Sequence, residues 1–274
     1  MIVAARDAGA VTAESIHAIC REASSLRAEL VVAAPTGSRE ATLAVGVGKL
    51  VTCDGDPLVP KLWKAGIEAS SGELLVLTIA QCVPEPGWLA ALVSALEPDC
   101  AAAGGPIVLR SRRPAVAAVF FLRYSPYLLP FQRHDVADVP GDNAIYRRSA
   151  IATVADRWEH GFWENEVNAA LRSRGARLVL DLRPATALRT GGGVWAFCRQ
   201  RFRHGRVFGA WRAATGGRWR AVLAPLVPLL MLTRIVRRLP TADRITFVLS
   251  LPFLVTYLCA WTAGETIGLL EGRR

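Results

Sequence analysis

Two carboxylates, Glu164 and Glu166, stand in the segment HGFWENEVNAALRSRG at the start of a run with helical spacing, directly after Trp163. A carboxylate accepts a proton from a hydroxyl near neutral pH, and the first turn of a helix favours negative charge because its amides have no intrahelical partner. Upstream, Gly141-Asp142-Asn143 is a turn-forming cluster ahead of Tyr146-Arg147-Arg148. Further along, Gln200, Arg203 and Arg206 fall three apart and therefore share one helix face. Guanidinium groups there have the planar, bidentate donor geometry that suits phosphate.

The elements that must position these groups alternate along the chain. Short apolar runs at Ile2–Ala5, Leu30–Ala33, Leu50–Thr52 and Leu74–Leu77 read as strands. Segments 13–24, 60–69 and 88–96 read as helices, the first capped by Thr12. Strands alternating with helices predict an α/β fold with a mostly parallel sheet covered on both faces. In such a sheet ligands bind beyond the carboxyl ends of the strands, which directs attention to Arg6, Asp7, Pro35–Ser38 and Thr78–Cys82. Asp54 and Asp56 lie in a turn-rich Asp-Gly-Asp-Pro sequence. A Gly191-Gly192-Gly193 break precedes a basic helix at 194–213, and the expected organisation is a domain over 1–215 followed by an apolar and basic helical segment over 216–274.

With 274 residues, 52% of them hydrophobic, the chain is too apolar for sustained disorder and long enough for a buried core. Six cysteines without C-x-x-C spacing argue against a zinc site and against a disulfide-stapled secreted domain, and read as reduced thiols. The net charge of +10 is carried by arginine: only Lys49, Lys61 and Lys64 are lysines, and between Leu182 and Ala242 there are twelve arginines and no acid. Such a run suits an anionic partner, and no nucleic-acid motif accompanies it. Ile245–Ala263 is 19 residues without a charge, just long enough to cross about 30 Å of hydrocarbon, while Ala221–Thr233 is shorter and reads as interfacial. Basic clusters at Arg218 and Arg220, at Arg234, Arg237, Arg238 and Arg244, and at Arg273 and Arg274 stay on one side only if the helices form a hairpin or lie flat. The expectation is a protein at the cytoplasmic face of the plasma membrane.

Taken in order, these segments resemble the family 2 inverting glycosyltransferases of GT-A fold. Ile2–Asp7 is similar to the first strand and its nucleotide-contacting tip. Gly72–Leu92 is similar to the sugar-nucleotide strand with its Cys-x-Pro-x-x-x-Trp continuation. Gly141-Asp142-Asn143 resembles the acceptor-side turn, Trp163-Glu164-Asn165-Glu166 the catalytic acidic motif, and Gln200-Arg201-Phe202-Arg203-His204 the Gln-x-x-Arg-Trp box, with His204 in place of Trp. The closing AWTAGETIGLLEG is similar to the apolar tail of bacterial members. The resemblance implies a nucleotide-sugar donor contacted by Arg6, Asp7, Gln81, Gln200, Arg203 and Arg206. It implies a hydroxyl acceptor, lipid-linked by the composition of the tail, near Asp142, Asn143 and Trp163, with Glu164 as general base.

The family's metal-binding Asp-x-Asp pair falls on Ile79 and Gln81, so both carboxylates are missing and no metal ligands are assigned. A hard divalent cation needs oxygen ligands, of which Ile79 has none and Gln81 one neutral carbonyl. The acidic pair after the second strand reads Ala33-Ala34-Pro35-Thr36, and the Arg-Asn step of the next helix reads Leu62-Trp63-Lys64-Ala65. Two outcomes stay open: transfer without a metal, and a retained fold that serves as a membrane-attached scaffold without chemistry.

Overall fold

The computed structural model describes residues 1–7, 9, 12–190, 193–216 and 226–272. Arg218, Arg220, Arg273, Arg274, Gly191, Gly192 and residues 221–225 of the shorter apolar run lie outside the described residues. The chain divides into two compact units, the first Met1–Arg110 with Leu129–Gly191 and the second Ser111–Leu128 with Gly192–Arg274.

The first unit opens with β1 (Ile2–Ala4), α1 (Thr12–Ser25), β2 (Val31–Pro35), α2 (Arg39–Ala44), β3 (Lys49–Cys53), α3 (Val59–Ala69) and β4 (Leu74–Ile79). It continues with β5 (Cys82–Pro84), α4 (Trp88–Ala95), β6 (Cys100–Gly104) and β7 (Ile107–Leu109). After α5 (Pro114–Tyr124), which belongs to the second unit, come β8 (His134–Asp135), β9 (Asn143–Arg147), α6 (Arg148–Ala152), α7 (Glu164–Ser173), β10 (Arg177–Leu180) and β11 (Thr186–Leu188). Eight strands form one sheet in the order β3-β2-β1-β4-β9-β6-β10-β8, and β5-β11-β7 form a second. The left half of the large sheet, β3-β2-β1-β4, is parallel throughout, as are β6 and β10. Strand β9 runs antiparallel between β4 and β6, and β8 antiparallel at the edge.

The strand sequences explain this burial. β1 is unbroken aliphatic, and with helices on both faces it is wholly buried, as parallel strands are. On one face α3 presents Leu62, Trp63 and Ile67, and Gly66 sits so close to Ile2 that any side chain there would collide with it. On the other, Ile16, Ile19, Leu89 and Leu92 pack against Val3 and Val32. Helix α4 has no side-chain cap of its own; it starts after Gly87, which takes φ 79°, and the Glu22 carboxylate from α1 accepts from the amides of Gly87 and Leu89 at 3.0 and 2.9 Å. Pairing of β4 with β1 aligns Val3 with Thr78, and pairing with β9 aligns Thr78 with Asn143. The tips of β1 and β4 and the turn before β9 therefore meet at one edge of the sheet.

The second unit holds α5, a 3-10 turn at Ser125–Tyr127, α8 (Val194–Gly216), α9 (Val227–Arg238) and α10 (Arg244–Glu271). Helices α8 and α10 run parallel in close backbone contact: Gly205 lies against the Trp261 carbonyl, Gly209 against that of Glu265, Gly264 against that of Phe202 and Gly268 against that of Arg206. Phe121 of α5 packs edge-on against Phe247 of α10, ring centroids 5.3 Å apart. Glycine faces tie α8 to α10, and α5 joins them in the same compact unit; composition along the chain does not reveal either pairing. Among the described residues, one helical stretch, Thr241–Glu271, is long and apolar enough to cross a membrane by length and composition.

Candidate functional site

Beyond β1 the chain turns sharply at Arg6-Asp7. Asp7 adopts φ 56°, in the left-handed region that a short polar side chain tolerates better than most, and its carboxylate accepts from Arg6 Nε at 2.9 Å. The buried Arg6 guanidinium also donates to the Pro57 carbonyl and to Asp56, which lie between β3 and α3. Arg6, expected as a donor contact, thus spends its hydrogen bonds inside the protein. It holds two carboxylates in place, Asp7 and Asp56, each about half exposed at 48% of the side chain. Gln81, at the tip of β4, is buried; its amide donates to the Arg6 carbonyl at 2.6 Å, which points its Oε1 away from that carbonyl. Among the described residues, Oε1 is buried with no hydrogen-bond partner. Arg6, Asp7 and Gln81 are therefore brought together, with Asp56 as a member that sequence reasoning treated only as a turn.

The acceptor-side residues converge on the other flank of β4. Gly141 lies where a methyl group would stand 2.9 Å from Trp63 Cη2 and 3.0 Å from Glu164 Cβ, so only glycine lets the turn touch both. Trp63 is itself fixed by Nε1 donating to the Thr78 carbonyl at 2.9 Å, and the Thr78 hydroxyl donates to the Asp142 carbonyl at 3.0 Å. Trp163 is the residue before α7 and Glu164 the first within it, both partly buried. The general-base candidate thus sits in a helix first turn, against the Gly141–Asn143 turn and level with the tip of β4. Asn143 is fully buried and its amide fully used: Nδ2 donates to the carbonyls of Pro106 and Pro184 at 3.0 and 2.7 Å, and Oδ1 accepts from Trp88 Nε1 at 2.7 Å. It shapes the turn rather than presenting a side chain.

Behind Glu164 lies a polar relay. The Tyr146 hydroxyl donates to Asn168 Oδ1 at 3.1 Å, and Asn168 donates onward to Asp138 and, at 3.1 Å, to the Val139 carbonyl. Burial, reinforced by the charges of Asp138 and Glu164, pushes the Tyr146 phenol well above its usual range, so it stays a protonated donor. Burial also raises Glu166, against the opposing charge of Arg157. Nothing in the sequence marked Trp63, Tyr146 or Asn168; their roles come from long-range packing.

Gln200, Arg203 and Arg206 lie on α8, within the second unit. Arg206 forms a two-pronged ion pair with Glu271 of α10 at 2.8 and 3.0 Å.

A divalent cation does not fit the tip of β4. Ile79 and Ala80 are apolar and fully buried, leaving Gln81 Oε1 as the one side-chain oxygen of residues 79–81. Asp56 is bound to Arg6, and Asp54 accepts from the Thr36 hydroxyl at 2.7 Å. One neutral oxygen, with the neighbouring carboxylates of Asp7 and Asp56 both paired to a buried guanidinium, is not the ligand set a hard cation requires.

No family model and no curated protein matches this chain. Among solved structures, it is similar to the mannosyltransferase PcManGT from Pyrobaculum calidifontis, solved in complex with GDP-Man and Mn²⁺, with a TM-score of 0.54 and 13% identity over 96% of this chain and 86% of that one. A mycobacterial protein aligns with a TM-score of 0.47 and 15% identity over 76% and 73% of the two chains, and S. aureus TarS 1–349 with 0.46 and 9% over 98% and 88%. The first likeness establishes the fold alone: a mixed α/β architecture with a large, mostly parallel sheet, like that of the mannosyltransferase, whose fold is of GT-A type.

Proposed function

We propose that this protein transfers a sugar from a nucleotide-diphospho-sugar to a hydroxyl acceptor by a single inverting displacement that does not depend on a divalent cation. The observation that carries the reading is the seat of Glu164, packed on Gly141 in the first turn of α7, at the carboxyl end of β4. The Glu164 carboxylate takes the proton of the acceptor hydroxyl as its oxygen bonds to the anomeric carbon, and the bond from that carbon to the diphosphate breaks on the opposite face. The electron pair leaves with the nucleoside diphosphate. General-base assistance of this kind is worth ~10²–10⁴ in rate.

On the donor side, the half-exposed carboxylates of Asp7 and Asp56 are acceptors for nucleoside hydroxyls or ring N–H groups, and Gln81 Oε1 is an unfilled acceptor beside them. The resemblance of the α8 box supports Gln200 and Arg203 as further donor contacts. The basic and apolar second unit supports a lipid-linked acceptor and a position at the cytoplasmic face of the plasma membrane.

The test is transfer from a panel of radiolabelled nucleotide-sugars into a membrane lipid extract by the full-length protein in chelator. The expected result is a labelled product from one donor whose anomeric configuration is opposite to the donor's. Retained configuration overturns the single displacement, and absence of product from every donor leaves a glycosyltransferase-like scaffold.

A further inference from the structure

The second unit carries its polarity inside out. Its interior holds an ion pair between Arg212 and a Glu265 that is only 1% exposed, and Trp261 Nε1 donates to the same carboxylate at 3.1 Å. Arg201 lies over the rings of Phe197 and Trp261 at 5.1 and 5.5 Å. Its exterior, by contrast, bears an uncharged stripe. Ile245, Val248, Val255, Cys259, Ile267 and Leu270 are all exposed on α10. At 100° per residue they fall within an arc of about 120°, over a length of about 38 Å. A water-facing helix face carries charge; this one carries none.

The same unit also carries exposed groups that suit a lipid headgroup layer. Arg234, Arg237 and Arg238 of α9 and Arg244 at the start of α10 are exposed, and among the described residues none of the four forms an ion pair. Leu229 and Val236 add exposed apolar surface to α9, and Trp195 near the start of α8 is 84% exposed. Arginine beside apolar surface, with tryptophan at the margin, matches the chemistry of an anionic bilayer interface.

The packing of α8 decides how α10 meets that bilayer. Phe197 stacks edge-on with Tyr257 at 4.5 Å, and Gly264 lies against Phe202, so the helices run parallel with an offset of about 60 residues. Val194, the first residue of α8, is therefore level with Leu254, the middle of the apolar run Ile245–Ala263. If α10 crossed the membrane, a helix N-terminus with its unpaired amides, the non-helical Gly193 and the exposed Arg199 would all lie within hydrocarbon, where lipid-exposed irregular backbone does not occur.

We propose that the second unit is a monotopic anchor for an anionic phospholipid bilayer, with α10 lying along the membrane plane, its uncharged stripe in the acyl boundary and the α9 arginines on headgroup phosphates. The anchor deepens the membrane position proposed above and rests on it, but is independent of the chemistry of the first unit. The test places an environment-sensitive fluorophore on the native Cys259 and, in separate variants, at Val248, Val255 and Leu270. Quenching by lipids spin-labelled at different depths is then read with vesicles of phosphatidylcholine, alone and mixed with phosphatidylglycerol. The expected result is flotation with the mixed vesicles and the same shallow depth at all four positions. A profile deepest near Val255 and shallow at both ends means that α10 crosses, which overturns the anchor and leaves the membrane position intact. Failure to float overturns both, and self-association that hides all four positions assigns the stripe to a second copy of the chain. Replacing Arg234, Arg237 and Arg238 by Gln, a surface change remote from the fold's interior, is expected to weaken partition onto the mixed vesicles on the order of 10²-fold and leave neutral vesicles unaffected. Equal partition of this variant onto the mixed vesicles contradicts the headgroup role.

Discussion

The two flanks of β4 are built to opposite plans. On the flank toward β1, a guanidinium is buried and paired: Arg6 holds Asp7, Asp56 and the Pro57 carbonyl, and the end of β4 beside it carries Ile79 and Gln81. On the flank toward β9, glycine, tryptophan and a partly exposed carboxylate meet: Gly141 rests on Trp63 and Glu164, and Asn143 holds the turn through its buried amide. The difference teaches that one end of a sheet holds two unlike settings side by side, a guanidinium paired with carboxylates on one flank and a carboxylate seated on glycine on the other.

The comparison can be broken at its strongest point by Glu164→Gln. Turnover should fall ~10²–10⁴-fold while donor affinity is unchanged, measured by rapid-mix kinetics and by calorimetry on one preparation. Equal loss of donor binding would mean that Glu164 belongs to the donor flank instead. Asn143→Ala is the next largest effect. It strands Trp88 Nε1 and the Pro184 carbonyl in the interior, while the Pro106 carbonyl keeps the Thr186 amide, and at 1–3 kcal/mol for a buried unsatisfied group a loss of about 3 kcal/mol is expected in denaturant unfolding. A loss below about 1 kcal/mol would show that the turn does not depend on this amide.

Gly141→Ala sharpens the comparison further. Its methyl group must displace Trp63 or Glu164, with an expected cost of about 1–3 kcal/mol and a fall in turnover at unchanged donor affinity. The smallest effect concerns pH. The Asp181 carboxylate accepts from the Arg183 amide and guanidinium at 2.9, 3.0 and 2.7 Å, and so steadies the loop that offers the Pro184 carbonyl to Asn143. Those hydrogen bonds hold Asp181 below its ordinary value of 3.8, so its contribution is present above that value and is lost as pH falls through the lowered one. Thermal melts of Asp181→Asn should therefore lose part of the acid dependence of the wild type; identical pH profiles would sever this loop from the acceptor flank.

Much of this architecture is written in the chain. The aliphatic runs that became β1 to β4 are recognisable because both sheet faces are covered, and Glu164 is recognisable because a helix start favours acid. What the sequence conceals is contact over distance. Trp63 reads as an ordinary apolar residue of α3, yet it is the surface on which Gly141 turns. Arg6 reads as a ligand contact, yet one of its counter-ions is the adjacent Asp7 and the other, Asp56, arrives from a turn 50 residues on. The α2 helix escaped notice because Ser38, whose hydroxyl caps it by accepting from Ala41 N at 3.1 Å, lies inside a Pro-Thr-Gly-Ser turn. Likewise, α5 stands between strands of the first unit in sequence but packs on α10.

The most direct test of a cation-free donor flank beside an intact acceptor flank is calorimetric. Nucleotide-diphospho-sugars are titrated into detergent-solubilised full-length protein, first in chelator and then with Mn²⁺ or Mg²⁺. The account predicts micromolar binding of one donor in chelator, unchanged when the cation is restored. Binding that appears only with the cation, or none under any condition, would contradict it.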